Sequence, residues 1–193
     1  LDCDDSDCAT DASCTAAGSC ANPTVVTTFP FTATGADISA DFTNSLTLTG
    51  AGCVTRLGSV EAVYAVDMGV GEIIRLSESG SLDSVLTVMT SCGSSSACSY
   101  SDDLGSDESG GYVYTAAGNG FVYFVVEAYY STATASYEIT LEQGAAEVCD
   151  DSTDNDFDGD TDCDDSDCTT DIACLPRINE VGYDDASTDD FEF

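Results

Sequence analysis

The sequence predicts an all-β chain, an antiparallel β-sandwich held between irregular acidic flanks. Three observations predict it. Short apolar runs with a period of two, separated by Gly, Ser and Asp, recur through the middle of the chain, and no stretch sustains a helical period. Cysteine and acid gather at the two ends, where apolar residues are scarce.

The strands follow in order. VVTTFPFTA reads as a strand whose Pro30 confines it to an edge. VEAVYAVDM alternates, with Val60, Ala62, Tyr64, Val66 and Met68 on one side. GEIIRLSES, SVLTVMTSC, GYVYTAAG, FVYFVVEAYY and SYEITLEQ follow at short intervals, rich in β-branched and aromatic residues. Asn119-Gly120 is a strong hairpin signal between GYVYTAAG and FVYFVVEA. FVYFVVEA is apolar on both faces and reads as the central strand. The implied organisation is a first flank over 1–22, a sandwich over 23–145, a second flank over 146–175 and a connector over 176–193.

The chain has 193 residues, 3 Lys+Arg, 37 Asp+Glu and a formal charge of -34. That balance opposes long-range attraction to nucleic acid or to anionic membrane and favours cations or basic surfaces as partners. Residues 23–146 carry only 14 of the 37 acids, so the charge is concentrated rather than spread as on a salt-adapted surface. No apolar run approaches the length of a membrane span. With no initiator Met and no signal peptide at Leu1, the chain is read as a piece of a longer protein.

Residues 154–165, DNDFDGDTDCDD, hold seven aspartates and one glycine. Counting Asp154 as the first position places Asp156 at the third, Asp158 at the fifth, Gly159 at the sixth, Asp160 at the seventh, Asp162 at the ninth and Asp165 at the twelfth. Calcium takes six to eight oxygens, and an oxygen-donor loop supplies them at this spacing, with glycine making the sharp turn. The candidate metal residues are therefore Asp154, Asp156, Asp158, Asp160 (through its backbone carbonyl), Asp162 and Asp165. The twelfth position departs from the EF-hand pattern, which uses a longer, bidentate glutamate, and no helix-forming run flanks the loop. The competing reading is a solvated acidic segment.

Residues 3–14, CDDSDCATDASC, and 163–174, CDDSDCTTDIAC, form an internal repeat. The chain has 11 Cys, no His and no C-x2-C pair, which favours disulfides in an oxidising compartment over zinc. The repeat suggests pairing Cys149 with Cys163, Cys168 with Cys174 and Cys8 with Cys14, with Cys3 left over because Leu1 falls inside a motif. Cys92 with Cys98 and Cys20 with Cys53 complete the set, one assignment among many that spacing permits. Crosslinks and metal would stabilise these flanks in place of a core.

The run from GSVEAVYAV through LDSVLTVMTSC, SACSYSDD and GFVYFVVEAYY to SYEITLE resembles the bacterial pre-peptidase C-terminal domain, over most of residues 24–142. The resemblance implies a jelly-roll-like sandwich and a non-catalytic accessory module, in some cases one that binds matrix or carbohydrate. EVCDDSTDNDFDGDTDCDDSDC is similar to the Asp-rich, cysteine-bounded calcium repeats of large bacterial surface proteins and, in spacing, to thrombospondin type 3 repeats. RINEVGYDDASTDDFEF resembles the opening of a lamin-tail domain.

An enzyme is not expected, since no His is present to serve as base in a Ser-His-Asp or Cys-His site. Asp102-Asp103 is a carboxylate pair but reads better as a polar turn. Tyr112, Tyr114, Tyr123, Tyr129 and Tyr130 read as strand packing before they read as a ligand platform. Two functions stay open. One is a calcium-binding structural link in a secreted or cell-surface array, its partners being calcium and neighbouring copies or domains. The other is an adhesive or substrate-binding domain attached to a secreted hydrolase. The strand seed Ile178–Val181 raises the further expectation of strand addition to a neighbouring copy, building a filament.

Overall fold

The computed structural model describes residues 18–42, 46, 60–94, 97–102, 111–130 and 135–175. It divides into two units, Leu1–Ala145 and Ala146–Phe193. The expectations for Cys3, Cys8, Cys14 and Cys53, and for the tail beyond residue 175, lie outside the described residues.

The first unit is a β-sandwich. Its strands are β1 (Thr24–Val25), β2 (Phe31–Gly35), β3 (Glu61–Met68), β4 (Ile73–Gly80), β5 (Ser84–Met89), β6 (Cys98–Asp102), β7 (Tyr112–Thr115), β8 (Gly120–Ala128) and β9 (Tyr137–Gly144). One sheet runs β1-β3-β8-β5-β6 and the other β2-β9-β4-β7. Every pairing is antiparallel except β1 on β3. The one α-helical turn among the described residues, Ile38–Asp41, is capped by the Asp37 carboxylate, which accepts from the Ser39 N–H.

Alternation decides what each sheet buries. Ala62, Tyr64, Val66 and Met68 of β3 and Val122, Phe124 and Val126 of β8 join Ile74 and Leu76 of β4 and Ile139 and Leu141 of β9 in the main core. The intervening residues Val63, Val125 and Met89 form a second cluster with Leu46, against which Cys20, Cys92, Cys98 and Tyr123 pack. Because β8 lies third in a five-stranded sheet with an apolar cluster on each face, its sequence is apolar on both faces from Val122 to Val126.

Three local readings are corrected. VVTTFPFTA is not one strand: the chain breaks at the cis Phe29-Pro30 bond into β1 and β2, which take edges of different sheets. Asn119-Gly120 makes no hairpin, because β7 pairs with β4 in one sheet and β8 with β3 and β5 in the other. It serves instead as a crossing point between sheets, where the Asn119 side chain accepts from the Val70 N–H. Asp102 is no turn residue either, since it ends β6 in register with Leu86; Asp103 lies outside the described residues. The packing reading of the tyrosines holds for Tyr114, buried edge-on against Phe124, and for Tyr123, which packs in the second cluster, while Tyr129 and Tyr130 meet edge-on after β8.

Among the described residues of the second unit there is no strand, only two short 3-10 turns, Asp162–Asp164 and Ser166–Cys168. Two crossed disulfides hold it, Cys149–Cys168 and Cys163–Cys174. The pairings expected from the repeat, Cys149 with Cys163 and Cys168 with Cys174, are therefore wrong. Cys20 bonds Cys92, so the expected pairings of Cys20 with Cys53 and of Cys92 with Cys98 do not form. Residues 18–22 are tied to the sandwich by that bridge and by the Val63 N–H, which donates to the Gly18 carbonyl. The disulfides place the chain in an oxidising compartment. No helix among the described residues is long and apolar enough to cross a membrane.

Candidate functional site

The second unit has an unusual interior. Over residues 146–175 only Asp165 and Cys168 are buried, with relative exposures of 1% and 0%. The same stretch contains twelve Asp and Glu and no Lys, Arg or His. A carboxylate thus occupies the place an apolar side chain takes in an ordinary small domain.

Backbone geometry explains how the acids come together. Carboxylates and nearby amides fold the loop on itself: Asp156 accepts from the Asp158 N–H at 3.1 Å, Asp158 from the Asp160 N–H at 2.9 Å, and Asp154 from the Gly159 N–H at 3.1 Å. These are the local side-chain-to-backbone bonds that aspartate favours in turns. Gly159 sits at φ +103 with open space around it, so glycine is required there by conformation and not by room. Phe157 and Asp162 also take positive φ, at 65 and 50.

The result is two overlapping groups of carboxylates. Asp154, Asp156 and Asp158 bring one oxygen each to within 4.8 Å of one another, and Glu147, Asp156 and Asp165 do the same. Asp165 accepts the Asp167 N–H on Oδ1 at 2.6 Å, while its buried Oδ2 has no hydrogen-bond partner. Asp154 Oδ1 is likewise buried and without one. At such separations each pair of ionised carboxylates repels by roughly 3 kcal/mol at an effective dielectric near 20. Burial raises the pKa of Asp156, the acid common to both groups; the charges of Asp158, Asp165 and Asp154 add to the rise, and the Asp158 N–H bond offsets part of it.

Of the six metal residues expected from spacing, Asp154, Asp156, Asp158 and Asp165 converge. Asp162 does not join them: its Oδ1 accepts from the Ser152 N–H at 3.0 Å. Asp160, expected to give its backbone carbonyl, has an exposed side chain and an N–H that donates to Asp158, and neither bears on that carbonyl. Spacing missed Glu147, which lies seven residues upstream of Asp154. One signal pointed to it: the loop lacks a long carboxylate at its twelfth position, and Glu147 is a long carboxylate two residues before the first bridging cysteine, Cys149.

These groups are hard oxygen donors of an irregular set, which can hold a cation that accepts many oxygens. The sandwich offers a different feature, an open cleft of about 450 Å³ lined by Val25, Phe29, Val66, Phe121 and Gln143, with Glu72 accepting from the Gly69 N–H at its rim.

No protein-family model and no curated protein matches the chain. Among solved structures, PliG of Aeromonas hydrophila, a periplasmic inhibitor of g-type lysozyme, is 11% identical over 63% of this chain and 95% of its own, with a TM-score of 0.40. The pre-peptidase C-terminal domain of a Bacillus anthracis collagenase is 13% identical over 63% and 95%, with a TM-score of 0.41. PliG of Salmonella Typhimurium is 15% identical over 63% and 97%, with a TM-score of 0.36. Likenesses at these levels carry no functional argument, and the sandwich rests on its own two sheets.

Proposed function

We propose that the chain is a non-catalytic, calcium-binding structural module of a secreted or cell-surface protein, a sandwich followed by a cation-stiffened connector suited to tandem arrays. One observation carries the reading: Asp165, 1% exposed, keeps a buried Oδ2 without a hydrogen-bond partner beside other carboxylates, in a stretch with no basic residue. Burying an ionised carboxylate is costly unless a counter-charge meets it. Calcium fits better than magnesium because carboxylates on a loop of irregular turns suit a large ion with a flexible shell. Asp154, Asp156, Asp158 and Asp165 would hold it. Its role is structural: metal bound only by the folded loop adds its binding free energy to the loop's stability.

Calorimetry on the full chain tests this. Calcium should bind with a dissociation constant on the order of 10⁻⁴ to 10⁻³ M, as in other extracellular modules, and more tightly than magnesium. Asp165→Asn should weaken it. Absence of calcium heat, or equal binding of magnesium, rejects the reading.

A further inference from the structure

We propose that Glu147 is a direct ligand of the cation, supplying from outside the twelve-residue loop the long carboxylate that the loop itself lacks. The proposal rests on the calcium reading above and adds a residue to it.

Three observations meet at this side chain. Glu147 shares its carboxylate group with Asp156 and Asp165, the three offering oxygens within 4.8 Å of one another. Asp165, a member of that same group, is almost wholly buried and leaves its Oδ2 without a hydrogen-bond partner. Glu147 is also held in place from both halves of the loop, Oε2 accepting the Asn155 N–H at 2.8 Å and Oε1 the Asp162 N–H at 2.9 Å. An ionised carboxylate has about four lone-pair sites, so two amide bonds leave capacity for a metal on each oxygen. The amides fix the carboxylate's orientation, as outer contacts do for metal ligands generally.

The chemistry matches the gap at the twelfth position. A glutamate there reaches the ion with both oxygens, whereas Asp165 is one methylene shorter and spends Oδ1 on the Asp167 N–H. A glutamate entering from the other side makes up the reach. Glu147 is two residues from Cys149, whose bridge to Cys168 ties the chain upstream of the loop to the chain just after Asp165. The ligand therefore arrives on a crosslinked segment and needs no flanking helix.

The test compares Glu147→Ala and Glu147→Gln with Asp171→Asn in the full chain. Asp171 is exposed, lies in neither carboxylate group and controls for the loss of one charge. Calcium calorimetry should show Glu147→Ala weaker than wild type by about tenfold or more, Glu147→Gln weaker by less, and Asp171→Asn close to wild type. One equivalent of terbium, read by its luminescence lifetime in light and heavy water, should carry about one additional bound water in Glu147→Ala, because water takes the vacated position. Glu147 variants that match Asp171→Asn in affinity overturn the proposal. So does weaker binding with unchanged hydration, which makes Glu147 a clasp for the loop and no ligand. A wild-type chain that binds no calcium rejects the calcium reading and this one together, whereas loss confined to the Glu147 comparison leaves the calcium reading standing.

Discussion

The two units of this chain solve one problem by opposite means. The sandwich buries Tyr64, Phe124, Ile74, Leu76, Leu86, Ile139 and Leu141 almost completely between two sheets. The second unit buries one aspartate and one disulfide cysteine over its described residues. Every non-glycine residue at positive φ among the described residues, Ser152, Phe157 and Asp162, falls in the second unit. Apolar burial, at about 25 cal/mol per Å², is the main stabilising term of the first, with the Cys20–Cys92 bridge added to it. The second has too little apolar area, so covalent bridges and, on the function proposed above, a bound cation compensate for the ordering of a strained backbone. A fold can therefore be specified by packing or by ligation, and the two respond to different insults.

The largest expected effect follows from the bridges. Replacing Cys149, Cys163, Cys168 and Cys174 by Ser should remove about 2–4 kcal/mol per disulfide and leave the second unit unfolded. Thermal unfolding followed by near-ultraviolet dichroism of the sandwich tyrosines should be unchanged; a parallel loss of the sandwich signal would break the comparison.

Next in size is a core truncation. Phe124, fully buried and in contact with Tyr114, should cost about 3–5 kcal/mol on Phe124→Ala, measured by denaturant unfolding of the sandwich. Calcium affinity should not change.

A smaller effect comes at alkaline pH. Burial, then the hydrogen bond the Tyr137 hydroxyl donates to Asp41, then the charge of that carboxylate push the Tyr137 pKa from 10.0 to about 12. The folded state holds this proton more tightly than the unfolded chain does. Its contribution is therefore complete below pH 10, and is lost as the pH rises through the window from 10.0 to about 12. Tyr137→Phe should flatten the fall in sandwich stability across that window, read by denaturant titration at each pH.

The comparison also explains what the sequence could convey. Period-two runs are repeated packing instructions, so β3, β4, β5, β8 and β9 were legible, as was the central place of β8. Asn119-Gly120 misled because it is a local signal, whereas a hairpin also needs both flanking strands to prefer the same sheet. In the acidic unit, the local spacing of Asp154, Asp156 and Asp158 pointed to neighbours that the fold does bring together. The cysteine pairing was not legible, since four sulfurs at similar spacing do not reveal that the chain crosses itself. Glu147 was only faintly signalled for a related reason: one acid among many stands out only when the loop closes on it.

Amide hydrogen exchange in calcium and in chelator tests the central claim, that ligation takes the place of a core in the second unit. The amides of Gly159, Asp160 and Asp167, which donate to Asp154, Asp158 and Asp165, are the reporters. With calcium at a hundred times its dissociation constant, their exchange should slow by up to about a hundredfold, while the amides of β3, β5 and β8 stay as they were. Exchange at those three amides that is the same in calcium and in chelator would contradict the account.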